Sequence, residues 1–222
     1  MDRTPEPELM EGIEQAKAYA SADFSEPNEL FLSLFTDFFS KPIMGDVLDL
    51  GCGPADICMR FAQIHPECRV YGIDGSQAML DLARQSTNDR NLDKRILFIE
   101  GLLPEINLPN TQYSAIISNS LLHHLPDPMT LWDTIRKYAH NNTAILVMDL
   151  LRPQSRADAK KIVAHYHYAK DEPDILKEDF YNSLLAAYRI EEVEDQLKQA
   201  GFASLKVEKS SDRHMVIKGY CA

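Results

Sequence analysis

Five short apolar runs, separated by helix-like stretches, constrain this chain more than any other feature. They are 46–50 (DVLDL), 68–74 (CRVYGID), 95–99 (RILFI), 113–118 (YSAIIS) and 144–151 (AILVMDLL). Helical periodicity falls near 55–64, 76–86 and 128–140, the last with Asp127 as cap and Pro128 at the first helical position. Such alternation predicts an α/β chain with a parallel sheet and crossover helices. Before Pro42 two helices are predicted within 7–40. The second has Ser25 as N-cap, Pro27 in its first turn, and a wide apolar face that includes Phe31, Phe35 and Phe39. Residues 153–200 read as helical and stop at Gly201, a residue suited to a helix end. The segments SLKVEKS and MVIKGYC, separated by Ser211, Asp212 and Arg213, read as a β-hairpin on the sheet edge.

The chain has 222 residues, 45% of them hydrophobic, enough for a single domain, 1–222, with its own core. Its net charge of −11 repels phosphate backbones, so no nucleic-acid partner is expected. The acidic first residues resemble no export signal, and no apolar run reaches bilayer length, so a cytoplasmic protein without membrane contact is expected. Cys52, Cys58, Cys68 and Cys221 form no C-x2-C pair and read as buried or free thiols; no metal is expected. Arg152, Arg156 and Lys160 are spaced four apart. They form either a solvated face or a patch that attracts an anionic substrate.

The first apolar run leads directly into a bare bend, VLDLGCGPAD. Glycines at 51 and 53 let a ligand approach the backbone closely. A dinucleotide fingerprint would have a third glycine where this chain has Asp56, whose carboxylate disfavours a diphosphate. Asp49 suits a cationic ligand group, and Asp74, about 20 residues past the glycines, suits a ribose diol. Together they describe a ligand with an amino group and a ribose but no pyrophosphate.

VLDLGCGPAD, VYGIDGSQAMLDLA, IISNSLLHHLPDP and AILVMDLLRP, in that order, resemble the successive sheet motifs of class I S-adenosylmethionine-dependent methyltransferases. The resemblance covers about 40–152 and, through the hairpin, the sheet edge. It implies a Rossmann-like, mostly parallel seven-stranded sheet with helices on both faces. Residues 1–40 and the helical insertion 153–188 would then form caps. It also implies S-adenosylmethionine as cofactor and S-adenosylhomocysteine as product. Asp49, Gly51, Gly53 and Asn119 would take the methionine moiety and Asp74 the ribose. Gly75, Ser76, Met79, Gly101 and Leu102 would surround the adenine, and Tyr19 would fold over the cofactor.

Methyl transfer from a sulfonium depends first on alignment. Where a base is needed, His123 and His124 in LLHHLPDP are the candidates. A small-molecule acceptor is expected between the caps. Arg152, Tyr166, Tyr181, Asn182 and Tyr188 are its candidate contacts, within an aromatic and polar mixture that also includes His165, His167, Tyr168 and Phe180. Two other functions fit the same motifs: a cofactor-binding regulatory or scaffolding protein without transfer activity, and transfer of a different group from the same sulfonium. The expected assembly is a monomer or homodimer.

Overall fold

The computed structural model describes residues 1–6, 12–167 and 174–222. Its centre is a seven-stranded sheet. The strands are β1 (Gly45–Leu50), β2 (Cys68–Asp74), β3 (Ile96–Glu100), β4 (Ala115–Asn119), β5 (Ala144–Leu150), β6 (Lys206–Lys209) and β7 (His214–Tyr220). Their order is β3-β2-β1-β4-β5-β7-β6. Strands β1 to β5 pair in parallel, while β7 runs antiparallel to both β5 and β6, which is the expected edge hairpin.

Side-chain alternation explains why both faces are covered. Val47, Val70, Ile117, Leu146 and Met148 pack with Phe31 and Phe35 of α2 (Ser25–Phe39) and Phe61 of α3 (Asp56–Ile64). Leu80 of α4 (Gln77–Asp89) joins that layer. The intervening residues Leu48, Leu50, Ile116, Ile145 and Val147 face Trp132 of α5 (Met129–Tyr138) and Val193 and Leu197 of α8 (Ile190–Ala200). The buried Trp132 indole donates to Gln196 Oε1 at 2.9 Å, joining α5 to α8. By the same parity Asp49 lies on the Val47 face, where its carboxylate meets α3.

The remaining helices lie over the carboxyl ends of the strands. They are α1 (Ile13–Ser21), α6 (Arg156–His167) and α7 (Asp174–Ala186). The expected start of the first helix within 7–11 lies outside the described residues. Residues 1–6 form a strap: Thr4 N–H donates to Leu185 O at 2.9 Å, and Arg3 donates to Ala186 O at 2.6 Å. No described helix is long and apolar enough to cross a membrane.

Three local expectations are corrected. Ser25 is the first residue of α2 and not its cap; Phe24 holds the cap position, and the Asp23 carboxylate accepts from Ser25 N–H at 3.0 Å. Helix α5 begins one residue later than expected, with Pro128 at the cap and Asp127 Oδ1 accepting from Met129 N–H at 2.9 Å. The third strand starts at Ile96 because Arg95 turns back to cap α3, donating to Ala62 O at 2.7 Å and His65 O at 2.9 Å. Gly201 ends α8 with φ 74°, as its position predicts.

Candidate active site

The bend after β1 is built from positive-φ residues: Gly51 at 73°, Gly53 at 51° and Ala55 at 70°. The amides of Gly51 and Cys52 both donate to Ile73 O, at 2.8 and 2.9 Å, so the bend is tied to the end of β2. A Cβ at Gly51 would meet Leu121 at 3.0 Å, whereas one at Gly53 would meet nothing within 4 Å. Gly51 therefore packs the bend against the protein, and Gly53 leaves its open side bare.

Two carboxylates flank this bend. Asp74 Oδ2 accepts from Gly53 N–H at 2.8 Å and Oδ1 from Ser76 N–H at 2.9 Å. Burial raises its pKa, while these amide bonds act in the opposite direction. Asp49 is almost fully buried, with Cys58 Sγ donating to its Oδ2 at 3.0 Å. Burial pushes the Asp49 carboxyl up to about 7. Tyr19 stacks against Phe24 at 4.6 Å, and burial, then the Asp74 charge, push its hydroxyl up to about 12. Ser76 caps α4 by accepting from Met79 N–H at 3.3 Å. Gly101 N–H donates to Asp74 O at 3.0 Å, which sets Gly101 and Leu102 beside the end of β2.

A cavity of about 260 Å³ opens over the bend. Its floor includes Asp49, Gly51, Gly53 and Asn119, and its far wall His123 and His124. From the caps come Tyr19 and Phe24, Asn28 of α2, Tyr166 of α6, and Asp179 and Phe180 of α7. Asn119 donates to Asn28 Oδ1 at 3.3 Å, and Asn28 donates to Asp56 Oδ2 at 2.6 Å, an oxygen that Arg60 Nε also reaches at 2.7 Å. His123 and His124 lie on a 3₁₀ turn, Leu122–His124, with ring centroids 4.0 Å apart. His123 Nδ1 lies 2.7 Å from Asp149 Oδ1, and both side chains are buried. His124 titrates well below its usual value because of burial and then His123.

The structure thus brings Tyr19, Asp49, Gly51, Gly53, Asn119, His123, His124 and Tyr166 to one cavity; Asp74 is joined to the bend through Gly53 N–H, but neither it, Gly75 nor Ser76 lines the cavity. Met79 is buried in α4, and neither it, Gly101 nor Leu102 lines the cavity. Arg152, expected to meet an anionic acceptor, is buried in an ion pair with Glu192 and donates to Ala187 O at 3.2 Å. Tyr188 is buried too, with the Arg3 guanidinium 4.1 Å above its ring. Tyr181 packs with Phe180 against a small cluster of Leu150, Ala159 and Leu184, and neither Tyr181 nor Asn182 lines the cavity. Tyr168 lies outside the described residues. Unanticipated were Asp149, Asn28, Arg213 and the strap residue Arg3. A carboxylate at the carboxyl end of an apolar strand signals Asp149, as it does Asp49 and Asp74; the others carry no local signal.

Two features test whether an adenosyl amino acid fits. The side of Gly53 that a Cβ would occupy is open, and two buried polar atoms at the cavity, Asn119 Oδ1 and His124 Nδ1, have no protein partner. Beside a buried carboxylate, an unpartnered amide oxygen suits an ammonium group, so the residues fit.

Residues 47–142 match the family model of a methyltransferase domain. A malonyl-[acyl-carrier protein] O-methyltransferase of Priestia megaterium is 29% identical over 103 residues, 46% of this chain and 35% of that protein. A SAM-dependent methyltransferase from Aquifex aeolicus superposes with a TM-score of 0.70 at 19% identity, covering 93% of this chain and 98% of the other. The plantazolicin methyltransferase BpumL, in complex with a monoazolic desmethyl analogue and S-adenosylhomocysteine, gives 0.69 at 16% identity, covering 93% and 90%. The fold is that of a class I methyltransferase. The matched segment, less than half of the chain, is similar to a methyltransferase domain. The chain spans 20% to 44% of the length of the first four curated relatives it matches.

Proposed function

We propose that this protein transfers a methyl group from S-adenosylmethionine to a small-molecule acceptor. The observation that carries the reading is the cavity itself: about 260 Å³, with the Asp49–Gly53 bend on one side, a histidine turn on another, and helices from both caps above. A cavity roofed by helices suits a small acceptor better than an extended macromolecule. When bound, S-adenosylmethionine supplies an activated methyl group. The protein's own contribution is alignment and exclusion of water.

In this reading Asp49, together with Asn119, holds the ammonium end, and Asp74 takes the ribose hydroxyls. Gly75, Ser76, Met79, Gly101 and Leu102 surround the adenine, with Tyr19 closing over the nucleoside. On the acceptor side the reading keeps Tyr166 and adds Phe24, Asp179 and Phe180. Arg152, Tyr181, Asn182 and Tyr188 act as supports for the cap. His123 or His124 serves as the base for an acceptor that arrives carrying a proton.

Calorimetric titration with S-adenosylhomocysteine is expected to show stoichiometric binding. Product mass after incubation with S-adenosylmethionine and an acceptor panel is expected to rise by one methyl. No binding at millimolar ligand ends the reading. Binding with no methylated product across the panel favours the non-catalytic alternative, and a different mass increment favours transfer of another group.

A further inference from the structure

We propose that Asp149 is the positioning residue of an acid–base pair whose working atom is His123 Nε2, and that the acceptor presents a protonated heteroatom, an un-ionised hydroxyl or an ammonium. This inference rests on the methyl-transfer reading above. It also separates the two neighbouring histidines. His123 Nδ1 is engaged by Asp149 Oδ1 at 2.7 Å, whereas the buried His124 Nδ1 has no protein partner. Only His123 therefore has a carboxylate that fixes which ring nitrogen holds the proton.

The carboxylate is itself held. Asp149 Oδ1 accepts from Leu150 N–H at 2.7 Å, and its other oxygen from His123 N–H at 3.4 Å. The turn carrying the imidazole is pinned from the far side, where Arg3 Nη2 donates to His123 O at 2.9 Å and Leu125 O at 3.2 Å. With Nδ1 committed to Asp149, the ring of a cavity-lining histidine has Nε2 left for a ligand. A purely structural ion pair would have no need to line the cavity.

From an un-ionised hydroxyl, His123 Nε2 takes the proton as the oxygen bonds to the methyl carbon and the carbon–sulfur bond breaks with its electron pair leaving on sulfur; from an ammonium, Nε2 takes a proton first, and the lone pair so freed on nitrogen makes the same displacement. Nδ1–H remains on the ring, and the imidazolium that results is paired with the Asp149 carboxylate. An acceptor already ionised at neutral pH, such as a thiolate, would not need the pair.

Nitrogen-15 NMR of histidine-labelled protein saturated with S-adenosylhomocysteine tests the tautomer directly, with His123→Gln used to assign the signal. The expected result is a His123 ring protonated at Nδ1 with Nε2 bare. A ring protonated at Nε2 overturns the proposal, and this measurement needs no variant that must survive loss of a buried carboxylate. In turnover, Asp149→Asn is expected to lower kcat on hydroxyl or amine probes by about 100-fold with KM little changed, while sparing thiophenol probes. Equal losses on thiol and hydroxyl probes also overturn it. The two readings fail separately: absence of S-adenosylhomocysteine binding sinks the methyltransferase reading, whereas the wrong tautomer sinks the pair.

Discussion

Asp49 is a carboxylate placed where water cannot solvate it, and its behaviour with pH follows from that. Its folded pKa of about 7 lies above the unfolded value of 3.8, so between those values the folded state binds more protons. Its contribution to stability is therefore full below about pH 4 and is lost as pH rises through 7, by a total of a few kcal/mol. His214 opposes this: burial and then Arg213 push it down to about 4, so its contribution is full above pH 6.5 and is lost as pH falls towards 4. Paired urea titrations of the wild type and Asp49→Asn isolate the first effect. The variant should gain about 2 kcal/mol relative to wild type between pH 5 and pH 8, and an unchanged difference would show that Asp49 is ionised throughout. Affinity for S-adenosylhomocysteine in the wild type should rise from pH 6 to pH 8 as Asp49 acquires the charge that pairs with an ammonium. Asp74→Ala should weaken that binding by about 1.5–3 kcal/mol by calorimetry, because a charged acceptor is removed. Both acids stand out in the sequence as charges at the ends of apolar strands flanking a bare bend. Asp149 stands in the same kind of position, but its meaning depends on His123, which is brought to it only by the pairing of β4 with β5.

The caps are joined across the cavity mouth by contacts among three distant segments. Arg213, buried just before β7, has its guanidinium 3.3 Å from the Tyr166 ring of α6 and 3.2 Å from Glu26 of α2. Tyr166 also donates its hydroxyl to Asp212, at 2.9 and 3.0 Å to the two oxygens. A cation over a ring out of water contributes up to about 2 kcal/mol. Tyr166→Ala should therefore speed amide exchange along α6 by roughly tenfold while leaving β1, β4 and β5 unchanged, as read by hydrogen–deuterium exchange. Uniform acceleration would mean that the latch stabilises the whole fold rather than the cap. Local pattern predicted α6 but not the latch, because residues 26, 166 and 213 have no sequence relation to one another. The same limit explains Arg152. Its spacing from Arg156 and Lys160 suggests one helix face, but α6 begins only at Arg156, so Arg152 lies on the chain leaving β5 and turns inward to Glu192. The strands were legible because two-sided burial produces apolar runs that no surface segment imitates. Their exact starts were not, because Arg95 caps a helix that lies over thirty residues earlier in the chain.

The cavity lies at the junction between the sheet and the helices that cover it. The floor belongs to the sheet, whose central strands are buried on both faces, while the roof comes from α1, α2, α6 and α7. The strap reinforces this roof: Met1 N donates to Gln154 O at 3.1 Å, and Ser183 Oγ donates to Glu6 at 3.0 Å. A ligand touching floor and roof together should transmit its binding energy to elements it does not contact. At 100 times its dissociation constant, S-adenosylhomocysteine should raise the unfolding free energy by about 2.7 kcal/mol if it binds only the folded state. The distribution of that gain is the more informative quantity. If the roof opens locally in the free protein, exchange protection should increase most in α1, α6 and α7, which have the lower stability to begin with, and least in β1 and β4, whose exchange already requires global unfolding. Protection confined to the 49–53 bend and the end of β2 would show instead that the roof is rigid without ligand and that an acceptor must enter through an opening already present.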